Sequence, residues 1–106
     1  LTVNTIPTAI HRGGILYVMS GYRDVKGGAL DAATGKVLWQ LKSGTPYVPS
    51  PLLVGERLYF TAANEPRLTS VKTTDGSTVI DRAVLPRLRQ LYASPVEAKG
   101  RIYLPD

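Results

Sequence analysis

Cysteine is absent from this chain of 106 residues. Disulfides and thiolate metal sites are therefore excluded, while the redox compartment stays open. Histidine occurs once, at His11. A catalytic base needs an orienting partner and a metal site needs further ligands, and neither stands at a recognisable spacing from it. No apolar run approaches the roughly 18 residues that span a bilayer, so no membrane-spanning segment is expected. The first residues, Leu1-Thr2-Val3-Asn4, carry no Met, no basic stretch and no long apolar core. They do not read as a secretion signal, and the chain is expected to begin inside a longer protein.

Other chemistry is missing too. Asp24, Asp31, Asp75 and Asp81 lack the Asp-x-Asp spacing of a calcium loop. Gly13-Gly14 and Gly27-Gly28 lack the full pattern of a phosphate-cradling loop and a helix to follow it. Ser20-Gly21, Ser50-Pro51 and Ser94-Pro95 lack the flanks of a nucleophile elbow. A net charge of +5 could attract nucleic acid or anionic lipid. However, Arg12, Lys26, Lys42, Arg57, Arg67, Lys72, Lys99 and Arg101 are scattered among strand ends and turns. That is an ordinary solvated surface, and no nucleic-acid partner is expected.

What is present is a folded composition, 43% hydrophobic and 20% charged, with ten Gly and eight Pro spread along the chain. Those proportions argue against disorder and favour strands separated by turns. One domain of modest core fits this length.

The chain also repeats itself. Gly14-Ile15-Leu16-Tyr17-Val18, Glu56-Arg57-Leu58-Tyr59-Phe60 and Gly100-Arg101-Ile102-Tyr103-Leu104 are one motif written three times, with tyrosines 42 and 44 residues apart. Ser50-Pro51 and Ser94-Pro95 lie 44 apart, and Thr8-Ala9 holds the matching place in the first copy. Because these serines recur with the repeat, a structural role is expected for them. Thr74-Asp75-Gly76 follows Thr34-Gly35, with glycines 41 apart. The stretch from Leu30 to Trp39, with its turn at Asp31–Gly35, organises the chain. Gly35 supplies a positive φ, Asp31 and Thr34 can hold turn amides, and Trp39 offers a large surface to a neighbouring layer.

Four short strands are predicted per period. In the first copy they span about Ala9–Arg12, Ile15–Ser20, Gly28–Ala32 and Lys36–Lys42. In the second they span about Pro51–Val54, Arg57–Ala62, Leu68–Lys72 and Thr78–Arg82. The third supplies Pro95–Ala98 and Arg101–Leu104. Runs such as Ile15-Leu16-Tyr17-Val18-Met19 are apolar throughout, which implies cover on both faces. A four-stranded repeat of about 40–45 residues points to an all-β chain of β-propeller blades, each a four-stranded antiparallel meander. A β-sandwich is the other architecture compatible with such strands. The predicted organisation is a single partial propeller over residues 1–106, with blade 1 at about 8–48, blade 2 at about 49–92 and half of blade 3 at about 93–106. On a predicted innermost strand, His11 is expected to be packed or channel-lining.

Ala29-Leu30-Asp31-Ala32-Ala33-Thr34-Gly35-Lys36-Val37-Leu38-Trp39 resembles the tryptophan-docking motif of pyrroloquinoline-quinone-type (PQQ-like) propeller repeats, Ala-x-Asp-x-x-Thr-Gly-x-x-x-Trp. The Ser-Pro and Gly-x-x-Tyr elements are similar to that family as well, so the likeness covers nearly the whole chain. In the second copy Lys72 stands in the place of Asp31 and Ile80 in that of Trp39, so Ile80 is expected to pack in the tryptophan's stead. Asp31, Thr34, Gly35 and Trp39 carry the structural motif. The resemblance implies a ring of more blades, and hence that this segment is a slice of a longer protein. It implies a bacterial, extracytoplasmic location and a non-catalytic scaffold or binding module whose partners are proteins or the remaining blades. An alternative is part of a quinoprotein dehydrogenase that uses pyrroloquinoline quinone and calcium. That group carries an adjacent cysteine pair, calcium-binding carboxylates and a catalytic aspartate, and none can be placed here. No catalytic, cofactor or metal residue is therefore assigned to this segment. A sensor or accessory domain attached to another enzyme is the third reading.

The meander gives the chain a polarity. Turns at Gly13-Gly14, Gly55-Glu56, Lys99-Gly100, Thr34-Gly35 and Asp75-Gly76 are tight and fall on one rim. The longer connections, Gly21–Lys26, Ser43–Val48, Ala63–Arg67 and Ala83–Tyr92, fall on the other. Binding residues usually sit on loops carried by a rigid scaffold. The candidates for ligand or partner contact are thus Tyr22, Arg23, Tyr47, Asn64, Arg67, Arg87, Arg89 and Tyr92. Pro86-Arg87-Leu88-Arg89-Gln90, with Arg82 upstream, is the densest basic cluster. It could clamp a carboxylate or phosphate, or serve as a solvated connection between blades.

Overall fold

The computed structural model describes residues 7–20, 26–41, 45–46, 49–61, 66–85 and 94–103. Ten strands run in order: β1 (Ile10–Arg12), β2 (Ile15–Ser20), β3 (Lys26–Asp31), β4 (Val37–Leu41), β5 (Leu52–Val54), β6 (Arg57–Thr61), β7 (Arg67–Lys72), β8 (Thr78–Val84), β9 (Val96–Ala98) and β10 (Arg101–Tyr103). Strands β1–β4 form one antiparallel sheet in chain order, β5–β8 a second, and β9 and β10 a hairpin. No helix occurs among the described residues. The fold is all-β, as the turn spacing predicts.

Local chemistry explains the turns. Gly13 and Gly14 take φ of +59° and +75°, the left-handed pair that a two-residue hairpin requires. In the third copy Lys99 accepts φ +50° beside Gly100 at +75°. The second turn of each sheet closes the same way. Gly35 N–H donates to Asp31 O at 2.7 Å, and Gly76 N–H to Lys72 O at 2.9 Å. The two turns of a sheet are also tied together on their shared rim, because Ala32 N–H donates to Gly14 O and Thr73 N–H to Glu56 O.

Strand boundaries differ from the predicted ones mostly by a residue or two at the ends. The largest differences are at β3, which begins two residues earlier at Lys26, and β8, which runs two residues further to Val84. Just before that extension Arg82 adopts φ +47° while its N–H donates to Thr69 Oγ1 at 3.3 Å. The registers of β7 and β8 shift around Ser70, as a bulge produces. Lys26, Arg67, Ala83 and Val84, expected in connections, therefore belong to strands.

The core lies between the two four-stranded sheets. Side chains alternate along β2, so Tyr17 and Met19 are buried while Leu16 and Val18 are half-buried. Tyr17, Met19, Ala29 and Trp39 share one face of the first sheet through the registers Tyr17↔Ala29 and Ala29↔Trp39. They cluster with Leu58, Phe60 and Val71 of the second sheet, flanked by Ile10, Ile15, Leu41 and Leu53. Each large side chain so covered contributes about 1.5–3 kcal/mol. This contact covers the Tyr17 and Met19 face of β2, while Leu16 and Val18 on its other face are half-buried among the described residues.

Trp39 locks the two sheets together. Its ring sits 6.2 Å from the Tyr17 ring, tilted by 45°. Its Nε1–H, buried, donates to Thr73 O at 2.8 Å. A Cβ at Gly76 would come within 2.6 Å of Trp39 Cε3, and Gly76 holds φ +76°. Glycine is thus required there twice over, by backbone conformation and by close approach. Gly76→Ala is expected to cost at least about 2 kcal/mol from the combined strain and overpacking. Chemical denaturation checks this; wild-type stability in the variant would contradict the seat.

Candidate functional site

Two regions could carry function: the junctions between sheets, and the rim of longer connections. Tyr22, Arg23, Tyr47, Asn64, Arg87, Arg89 and Tyr92 lie outside the described residues. Arg67 is described. It opens β7 opposite Val84, exposed, on the rim away from the tight turns. His11 is exposed on β1 opposite Leu16, which overturns the packed reading and leaves the channel-lining one standing. The reason is geometric: His11 points to the face opposite Ile10, and that face has no second sheet upon it.

The polar residues of the repeat turn inward on the backbone. Asp31 Oδ1 accepts from Ala33 N–H at 2.9 Å and from Thr34 N–H at 3.1 Å. Thr34 Oγ1 accepts from Lys36 N–H at 3.3 Å. In the second sheet Asp75, at the place of Thr34, accepts from Ser77 N–H at 2.9 Å. These bonds to the charged form, led by the Thr34 amide, lower the Asp31 pKa below its ordinary 3.8. The Ser77 amide chiefly lowers that of Asp75, with Lys72 adding a smaller electrostatic contribution.

The recurring serines join one repeat to the next. Thr8 N–H donates to Ser50 Oγ at 2.8 Å, and Ser50 N–H donates to Ser94 Oγ at 2.8 Å. Each of these residues stands two positions before its sheet's first strand. The relay therefore links equivalent points of three successive units. Arg12 adds a second link, donating from Nη2 to Gly55 O. Sequence reasoning gave Arg12 only a solvated role; a lone arginine beside a turn carries no signal of a bond made 43 residues away. The seat at Thr73 and Gly76 was likewise invisible, because its partner is a backbone oxygen and a missing side chain.

The same positions differ in chemistry between the two sheets. Ile15 faces Asp31 in the first, whereas Arg57 faces Lys72 in the second. Ser70 takes the place of Ala29 in the second sheet, and its Oγ is buried without a hydrogen-bond partner, as is Thr61 Oγ1. Among the described residues no three His, Cys, Asp or Glu side chains converge. A calcium ion takes about six to eight oxygen ligands.

Over residues 2–104 the chain matches the sequence profile of a family described as outer membrane protein assembly factor BamB. Among solved structures it is similar to the quinohemoprotein alcohol dehydrogenase from Comamonas testosteroni, with a TM-score of 0.71 at 19% identity. That match covers 92% of this chain and 16% of the other, so the chain spans a small part of the enzyme's length. At this identity the likeness concerns fold alone, and the fold is that of β-propeller blades. No curated protein matches the chain.

The bonds described above generate two tests. Asp31 and Asp75 have lowered folded-state pKa values, so their contribution to stability is present above the unfolded value. It is lost as pH falls through the folded one. Replacing both by Asn should flatten the acid limb of the stability profile below about pH 4; an unchanged limb would contradict their turn role. Ser50→Ala should speed hydrogen exchange of the Thr8 amide at least about tenfold, as expected for loss of one hydrogen bond of about 1.4 kcal/mol, while Ser94→Ala does the same for the Ser50 amide. Unaltered exchange in either variant would break the relay.

Proposed function

Because this chain belongs to the PQQ-repeat propeller family described by outer membrane protein assembly factor BamB, we propose that it is a non-catalytic scaffold. In this reading its blades hold a loop rim against a protein partner. One observation carries it: the described polar side chains with the best geometry bind the chain's own backbone. Asp31, Thr34, Asp75, Ser50 and Ser94 hold turns and neighbouring sheets. Such residues build a frame, and nothing in their arrangement prepares a nucleophile, base or metal.

The motif from Ala29 to Trp39 acts here as a tryptophan-docking motif. The indole's bond to Thr73 and its seat on Gly76 support that assignment. The partner surface is the rim of longer connections, with Arg67 as its described member and Tyr22, Arg23, Tyr47, Asn64, Arg87, Arg89 and Tyr92 as further candidates. The family description favours a partner in outer membrane protein assembly, and with it a bacterial, extracytoplasmic setting. No helix among the described residues is long and apolar enough to cross a membrane.

The runner-up reading, a segment of a PQQ- and calcium-dependent dehydrogenase, draws on the similarity to the Comamonas testosteroni enzyme. The fold supports both readings equally, since one architecture hosts many functions. The match of the family profile over residues 2–104 favours the scaffold, since the likeness to the enzyme concerns fold alone. A paired experiment separates them. Adding pyrroloquinoline quinone and calcium should give no bound chromophore and no dye-linked alcohol oxidation. Arg67→Glu should weaken binding to the outer membrane assembly machinery by about tenfold or more, as loss of a charged interface contact does. Quinone-dependent turnover, or binding indifferent to rim substitutions, would reverse the assignment.

A further inference from the structure

The outermost strands of the two blades are paired differently. In the first blade β4 follows β3 one residue for one, from Ala29↔Trp39 through Gly28↔Gln40 to Gly27↔Leu41, and there it ends. In the second blade the ladder of β7 and β8 holds Ser70↔Ile80 and resumes at Leu68↔Ala83 and Arg67↔Val84. Thr69 therefore faces two residues, Asp81 and Arg82. Two residues against one make a β-bulge. The positive φ marks Arg82 as the surplus one. Without it, the pairs on either side join in one unbroken register, and each side chain keeps its face.

The surrounding residues are fitted to this bulge. Arg82 holds φ +47°, a conformation that costs a non-glycine residue energy. Its N–H, left over by the two-to-one pairing, donates to Thr69 Oγ1 at 3.3 Å. Thr69 stands in the place of Gly28, since Phe60↔Thr69 matches Val18↔Gly28. In the first blade a Cβ at Gly28 would come within 2.4 Å of Trp39 O, so the regular pairing leaves no room for a side chain. In the second blade the bulge bends β8, a buried threonine takes that place, and its hydroxyl holds the surplus amide. The two departures compensate each other.

The position of the bulge gives it a use. β8 is the last strand of its sheet. Propeller blades stack face to face around an axis, so further blades cover faces and leave the edge of a fourth strand at the circumference. Such an edge is a template for another strand unless it is short or bulged. β4 is short, and its regular run stops at Leu41. β8 is the longest strand among the described residues, and its ladder continues past Val84, where Leu85 N–H donates to Pro66 O at 2.8 Å.

We propose that the Asp81–Arg82 bulge keeps the outer edge of β8 from accepting a strand of a second copy of this chain. The first blade is guarded by the shortness of β4 and the second by the interruption of β8. This inference stands apart from the scaffold reading and concerns the edge alone.

Deleting Arg82 tests it, read by hydrogen exchange of the residue 78–84 amides over a hundredfold range of chain concentration. In the wild-type chain those rates should not change with concentration. In the deletion variant, the outward-facing amides should slow at least about tenfold at the highest concentration, the effect of one added hydrogen bond of about 1.4 kcal/mol. Arg82→Gly keeps the bulge, since glycine accepts the positive φ, and removes the charge; its rates should stay independent of concentration. If the deletion variant loses its folded Trp39 emission, combining it with Thr69→Gly restores the pattern of the first blade and repeats the measurement. Concentration-independent exchange in a folded deletion variant would overturn the proposal. So would slowed exchange in Arg82→Gly, which would assign the protection to charge, or loss of the fold in both deletion variants, which would make the bulge a requirement for folding.

Discussion

The contact of Trp39 with Gly76 and Thr73 is the constraint around which the two blades are arranged. A small antiparallel sheet cannot bury both faces by itself, so its apolar runs require another sheet. Apolar contact alone would tolerate sliding. The indole removes that freedom, because its buried N–H must reach one acceptor and its ring can approach only where no Cβ intervenes. Thr73 O supplies the acceptor at 2.8 Å and Gly76 the gap. The serine relay fixes the junction near the start of the first strands, and Arg12 ties its tight-turn edge.

Much of this architecture was legible in the sequence. The recurrence of tyrosine, Ser-Pro and Thr-Gly elements placed ten strands, because turn chemistry and period-2 burial are both local properties. The Asp31 and Thr34 side chains bond the turn amides that their positions anticipate. The equivalence of Asp31 with Lys72 is visible in matching turn bonds, Asp31 N–H to Lys36 O and Lys72 N–H to Ser77 O. What lay beyond the sequence was long-range or conformational. Arg82 gives no hint that it bends β8 at φ +47°. His11 was expected to be packed or channel-lining, and it is exposed on a face that no sheet among the described residues covers.

The candidate site was legible only in outline. Spacing distinguishes a rim of tight turns from a rim of longer connections, but which connection residues meet a partner depends on geometry that spacing does not contain. Arg67 is exposed at the edge of β7, where the longer rim begins. The second blade departs from the first in ways that local patterns could not weigh. Its Arg57–Lys72 pair sets like charges across neighbouring strands, an arrangement that costs stability. Its buried Ser70 and Thr61 hydroxyls stand where the first blade has Ala29 and Met19, so that face of the second blade is more polar. Equivalent positions in a repeat can thus keep the fold while changing what each junction offers.

The central claim is that consecutive repeats stack as small sheets, pinned by the Trp39 indole on the next repeat's turn. Nuclear magnetic resonance of the chain tests it most directly. The account predicts a slowly exchanging Trp39 Nε1–H and a through-space cross-peak between the indole ring and the Gly76 α-protons. An indole proton exchanging at the rate of free tryptophan, with no cross-peak to Gly76, would contradict it.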